Sequence, residues 1–276
     1  MSPPMPNAEM SYAAKTGPGR LLSLTGKIWF AAALAGQAVF IAFIITYYGR
    51  RTATGDFAAW NDRGLITGHV SGDTVGNTVF AIHVLLAAYI TFGGLCQLIP
   101  ALRRRFPAAH RWNGRAFIVT AAIMAVSGLW MTWGRGSYLS VISGVSVSLN
   151  GVLILVFAGL ALSFAMQRRI DIHRRWAMRT FMVVSGVWFF RVGLMAWIVL
   201  NQGPVGMNNT LSGPADIALS FGSYLIPLTG LEIYLAAQNS SSGGVKLAVS
   251  GLVLCLTAVM AVGIFGAAVF MWFPQA

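Results

Sequence analysis

The chain has 276 residues, 57% of them hydrophobic and only 9% charged, and a formal net charge of +12. Soluble domains carry about 25% charged residues, so this composition, with a mean hydropathy of +0.70, excludes an ordinary soluble fold. The excess of 19 Lys and Arg over 7 Asp and Glu would suit nucleic acid only on a soluble basic face, and the apolar chain leaves no room for one.

Residues 1–27 hold four prolines and three basic residues, Lys15, Arg20 and Lys27, and read as an N-terminal tail. A cleavable leader has an apolar core of about 7–15 residues. The first apolar run, 28–48, is longer and reads as an uncleaved span. Six further windows qualify against the roughly 20 apolar residues needed to cross hydrocarbon: 79–102, 116–133, 147–166, 180–200, 217–237 and 247–273. The runs are continuous rather than alternating, which excludes a β-barrel. The expected fold is therefore all-α: a seven-span transmembrane helical bundle over 28–273, with one sizeable loop at 49–78.

Lys and Arg set the orientation. Fourteen of the nineteen fall on the N-terminal side of the membrane, four on the other, and Arg191 lies within a span. The positive-inside rule then puts the N-terminus in the cytoplasm and the 49–78 loop outside. Tyr47, Tyr48, Trp112, Trp130, Trp133, Trp176 and Trp272 fall near span edges, as interfacial belts do. Cys96 and Cys255 both lie in apolar runs, with no disulfide framework or zinc spacing.

Two cytoplasmic loops resemble each other. Pro107 to Arg115 contains His110, Arg111, Trp112 and Arg115; Asp171 to Arg179 contains His173, Arg174, Arg175, Trp176 and Arg179. Arg and Trp at such a boundary anchor a helix and draw anionic headgroups at about 1 kcal/mol per basic residue. The recurrence of a histidine in each admits a second reading. His110 and His173 would ligate a metal or haem iron, with Arg111, Arg115, Arg175 and Arg179 pairing with propionates or an anion. Both histidines are expected to precede their helices.

Inside the spans, His83 lies one turn from the external end of the second window, where an ionisable group is costly and functional by default; His69 is the other histidine on that side. Gln97, about 21 Å along the helix from His83, approaches the cytoplasmic histidines instead, placed to bond a neighbouring helix or a quinone carbonyl. Arg191 sits mid-span in the fifth window, and Glu232 is the acid deepest in a span. Their depths differ by about 8 Å, which predicts a buried Arg191–Glu232 ion pair.

The runs Gly93 to Arg103, His110 to Arg115, Ser127-Gly128-Leu129 and Asp171 to Arg179, with Arg191 following, resemble a bacterial family of predicted membrane proteins catalogued as domain of unknown function 2306, over about 83–191. The resemblance carries over His83, Gln97, His110, Arg111, Trp112, Gly114, Arg115, His173, Arg175, Trp176, Arg179 and Arg191, and implies a multi-pass protein of the bacterial inner membrane. It implies fold and placement, not mechanism. The arrangement is also loosely similar to four-helix membrane cytochromes b, from which it departs because His110 and His173 are expected outside their helices.

Two functional classes follow. One is a redox protein, or a subunit of a membrane complex in electron transport, that binds haem b or a quinone, with His83, His110 and His173 as iron ligands or quinone partners. The other is a non-catalytic membrane subunit or a small-molecule transporter. Transport would be supported by inverted repeats and broken helices, whereas the one duplication seen runs parallel and Gly or Pro breaks within spans are few. A membrane-embedded enzyme acting on a lipid or isoprenoid ranks below both, because such sites commonly use an acidic pair or an acidic metal-binding motif and, of the seven acids, one lies deep in a span.

Overall fold

A computed structural model describes residues 17–62 and 67–274. The tail up to Thr16, including Lys15, and Arg63 of the loop lie outside the described residues. The architecture is helical, with no strand among the described residues. Its helices are α1 (Gly17–Thr54), α2 (Thr74–Leu98), α4 (Pro107–Trp133), α5 (Val141–Met166), α8 (Pro214–Asn239) and α9 (Gly243–Trp272), each long and apolar enough to cross a membrane. A short α3 (Pro100–Arg105) precedes α4. The remaining span is a broken pair, α6 (Ile170–Val184) and α7 (Gly186–Leu200), bent by 53°. With that pair counted as one, the spans number seven.

Local chemistry sets the helix starts. Asp73 caps α2 by accepting from the Gly76 N–H at 2.8 Å, satisfying one of the donors a helix start leaves unpaired. Ser140 and Ser143 form a reciprocal capping box at α5. Proline opens α3, α4 and α8, where its missing N–H costs nothing. Phe92 and Phe265, each about 60% exposed, belong to outward faces that only lipid tails would cover.

Several boundaries differ from the sequence reading. α1 begins at Gly17 rather than Ile28, because the long Arg20 and Lys27 side chains ride on an unbroken helix. It also continues to Thr54 through a π-helical stretch, Ile44–Gly49, and a short 3₁₀ turn, Ala58–Asn61, follows. α4 and α6 begin at Pro107 and Ile170, so His110 and His173 lie inside helices, not ahead of them. The basic residues of both loops therefore occupy first helical turns.

The duplication survives in register. The His110 N–H bonds Phe106 O and the His173 N–H bonds Arg169 O, each the carbonyl of the N-cap residue. In each copy an Arg three residues after the Trp lies over its ring: Arg115 on Trp112 at 4.8 Å and Arg179 on Trp176 at 4.6 Å.

Neighbours pack in a closed order: α1 on α2, α2 on α4, α4 on α5, α5 on α6, and α8 on both α6 and α7, while α9 fills the gap between α1, α7 and α8. Residues of α1, α7 and α9 dominate the main apolar core, where Phe40 and Phe43 stack against Trp272 beside a second π-helical stretch, Ala267–Trp272. At the end away from the basic helix starts, Arg135 staples two loops. Its Nε donates to Asp73 at 2.8 Å, and its guanidinium also reaches Asn77 Oδ1 and the Gly68 carbonyl.

Candidate functional site

The break between α6 and α7 is where the interior opens. A Ser–Gly pair is a known cause of a sharp kink, and here Ser185 ends one half and Gly186 begins the other. Gly186 is required by its neighbours. A Cβ there would stand 2.8 Å from Nδ2 of Asn150 and 3.4 Å from Tyr224, so the missing side chain lets α5 and α8 close on the kink. Gln37 of α1 ties it from the third side, donating through Nε2 to Ser185 Oγ at 3.1 Å in a buried bond. Irregular backbone at membrane depth survives only where it is buried in protein or lines a cavity, and both hold here.

That cavity has a volume of about 350 Å³ and is walled by every span except α9. Its upper rim, away from the basic end, is formed by Tyr48, Phe80, Tyr138 and Leu211; its floor by Ile90, Phe117 and Phe181. Three buried polar atoms on its wall have no partner among the described residues: Gln37 Oε1, Asn150 Oδ1 and Trp188 Nε1. Leaving such an atom unbonded costs about 1–3 kcal/mol. Gln37 and Asn150 both reach the break, one gripping Ser185 and the other packing on Gly186, and Trp188 lines the same cavity two residues further on.

Arg191 completes the group. It projects from α7, folds back so that one terminal nitrogen donates to the Val187 carbonyl at 3.2 Å, and lies 5.7 Å from the Phe40 ring. Among the described residues no carboxylate pairs with it. The expected Arg191–Glu232 pair is not formed: Glu232 takes Arg179 instead, bidentately, at 2.6 and 2.8 Å. The cause is depth. Because α6 starts at Ile170, Arg179 lies about 13 Å along the helix from the basic end and Glu232 about 10 Å, whereas Arg191 lies about 30 Å along the bent path.

The histidines separate likewise. His83 lines the cavity, with its Nδ1 2.8 Å from Ser127 Oγ of α4, so its partner is a span residue rather than one in the external loop. His110 is about 25 Å down α4 from Ser127. At the basic end Gln97 Nε2 donates to the His110 carbonyl at 2.9 Å, and His173 Nδ1 bonds the Ala161 carbonyl at 2.8 Å. Gln97, His110, His173, Arg111, Arg115, Arg175 and Arg179 thus gather at the basic end, while His83 and Arg191 belong to the cavity. No cluster of three or more His, Cys, Asp or Glu suited to a metal ion occurs among the described residues.

Residues 80–214 match a family model described as predicted membrane protein (DUF2306). That match spans 135 of the 276 residues, just under half of the chain. The DUF2306 segment runs from α2 through α7 and carries His83, Asn150, the Ser185–Gly186 break, Trp188 and Arg191. Gln37 and Tyr224, on α1 and α8, close the same cavity from outside it. No curated protein and no solved structure gives a significant match to the chain.

Gln37, Asn150, Ser185, Gly186 and Trp188 were not singled out from the sequence. The signal was present for two of them, since Gln37 and Asn150 are the only amide side chains in windows 28–48 and 147–166, and polar groups inside a span are expensive. The break itself is hidden in an apolar run whose average hydropathy is unaffected by one serine and one glycine.

Proposed function

We propose that this membrane protein is a small-molecule carrier or transporter that binds an amphipathic ligand in the cavity at the α6–α7 break. The observation that carries this reading is the convergence of three unpartnered polar atoms and an unpaired arginine on a kinked span. Discontinuous helices that present polar groups near the middle of the bilayer are a recurrent way of building a transport site, and a cavity of about 350 Å³ falls within the usual range for small-molecule pockets.

The redox reading has less support. Bis-histidine haem ligation needs two imidazoles facing each other across the bundle, and the partner of the His83 ring is Ser127 rather than a second imidazole. A quinone remains the second reading for the same cavity, favoured by one observation. Trp188 Nε1 and the Arg191 guanidinium both offer donors to carbonyl oxygens within an apolar wall. At the basic end, we infer that Arg111, Arg115 and Arg175 contact anionic lipid headgroups or a partner subunit, as expected of helix starts at an interface.

Native mass spectrometry and the absorption spectrum of protein purified from its own membrane test this. The expected result is a co-purifying organic molecule of a few hundred daltons, reduced in Gly128→Leu, because a side chain at Gly128 would point toward His83 across open space. A Soret band would overturn the reading in favour of haem. An equal yield of the molecule from the Gly128→Leu protein would place the ligand elsewhere.

A further inference from the structure

Of the remaining features, the Arg135 staple is satisfied by its own loops and the basic end is accounted for by interfacial anchoring. The charge in the cavity is accounted for by neither. We propose that the ligand is a monoanion, a small amphipathic carboxylate, whose head pairs with the Arg191 guanidinium while its hydrogen-bond donors meet Gln37 Oε1 and Asn150 Oδ1. This rests on the reading above that the cavity holds a ligand.

The argument is one of complementarity. Arg191 is the one Lys, Arg, Asp or Glu among the described residues lining the cavity. A guanidinium carries five N–H donors, and among the described residues one acceptor, the Val187 carbonyl, engages it. A charge held in an apolar interior is costly unless paired, and no acid among the described residues supplies the pair. A single cation without a second basic neighbour matches one negative charge. A doubly charged phosphate would leave one charge uncompensated, and an ammonium would add a second positive charge beside Arg191. The planar fork of arginine fits a carboxylate bidentately.

Position supports the same chemistry. By folding back onto Val187, the guanidinium is drawn toward the kink, whose neighbours Gln37 and Asn150 present acceptors only, through oxygens that lack donors. Their amide nitrogens point elsewhere: that of Gln37 is bonded to Ser185, and that of Asn150 packs over Gly186. The site therefore offers donors at Arg191 and Trp188 and acceptors at the two amides, which suits a carboxylate with a hydroxyl or amide N–H along its body. The apolar lining, with Phe40, Ile90 and Phe117, takes the apolar part.

The test uses the full chain in phosphatidylcholine nanodiscs, titrated calorimetrically with octanoate and with 1-octanol, empty nanodiscs being subtracted. Octanoate is expected to bind tighter than octanol by on the order of tenfold or more, the worth of a charge-assisted bond. In Arg191→Gln the two should bind alike, with octanol unchanged, and Arg191→Lys should recover part of the preference. Should Arg191→Gln fail to fold, lowering the pH on wild-type protein through the range where octanoate protonates gives the same readout, since the preference should vanish. Equal affinities in the wild type at neutral pH overturn the anion assignment while leaving the cavity reading intact. No saturable binding of either probe removes both.

Discussion

Gly263→Ala is expected to loosen the wall behind the cavity. Gly263 of α9 faces α7 so closely that a Cβ would fall on the Val192 carbonyl oxygen and within 2.8 Å of its side chain. Three residues on, a Cβ at Gly266 would lie 3.1–3.2 Å from Val199 and Met195. The two glycines thus form a seam along which the backbones touch, a common means of joining helices in a bilayer. Backbone cannot rotate aside, so the helices must separate. Parting them by even about 1 Å forfeits a quarter to a half of the dispersion attraction along the seam, and overpacking of this kind costs about 1–3 kcal/mol. Against this stands a gain of up to about 1 kcal/mol from helix propensity.

Gly251, on the same helix with nothing within 4 Å of its would-be Cβ, isolates that gain. Gly251→Ala should be neutral or slightly stabilising, and Gly263→Ala should be less stable than it by about 2 kcal/mol. At about 2–4 °C per kcal/mol for a large chain, thermal unfolding of the two variants in one detergent should differ by about 4–8 °C. Equal midpoints would refute the packing argument.

A double-mutant cycle on Arg179 and Glu232 should give a coupling of about 0.5–1 kcal/mol, kept small because Glu232 is 44% exposed, while the cycle on Arg191 and Glu232 should give none beyond additivity. Ser185→Ala should cost about 1 kcal/mol by removing the acceptor of the buried Gln37 amide, read as a lowered midpoint, with Ser185→Thr keeping most of it. The carboxyl of Asp73 is held below its ordinary value of 3.8, first by the Gly76 N–H and then by Arg135. Its contribution is therefore complete above about pH 4 and lost as pH falls through the lowered value. Pepsin should cut the 67–73 loop of the wild type more slowly than that of Asp73→Asn near pH 4, with the difference disappearing toward pH 2.

The spans were legible because continuous apolar runs have no other stable use, and the charge-bearing ends were legible because Lys and Arg cluster on alternate turns. Helix starts were not. Arg174, Arg175 and Arg179 read as loop residues, yet they sit on a helix that begins at Ile170, since a charged first turn emerging from an interface is as helical as an apolar one. That shift of ten residues moved Arg191 out of reach of Glu232 and gave Glu232 to Arg179. His83 and Arg191 were identified as costly residues on physical grounds, and both line the cavity. What joins them to Gln37, Asn150 and Trp188 is a 53° bend at a Ser–Gly pair, and a pair so small leaves no trace in hydropathy.

The central claim is that the broken span creates a ligand site. An electron cryomicroscopy map of the protein extracted from its native membrane tests it most directly. Density for a small molecule between Gln37, Trp188 and Arg191, with its head against the guanidinium, is the predicted result. Density instead between His110 and His173 at the basic end, with the cavity closed by a straight α6–α7, would contradict it.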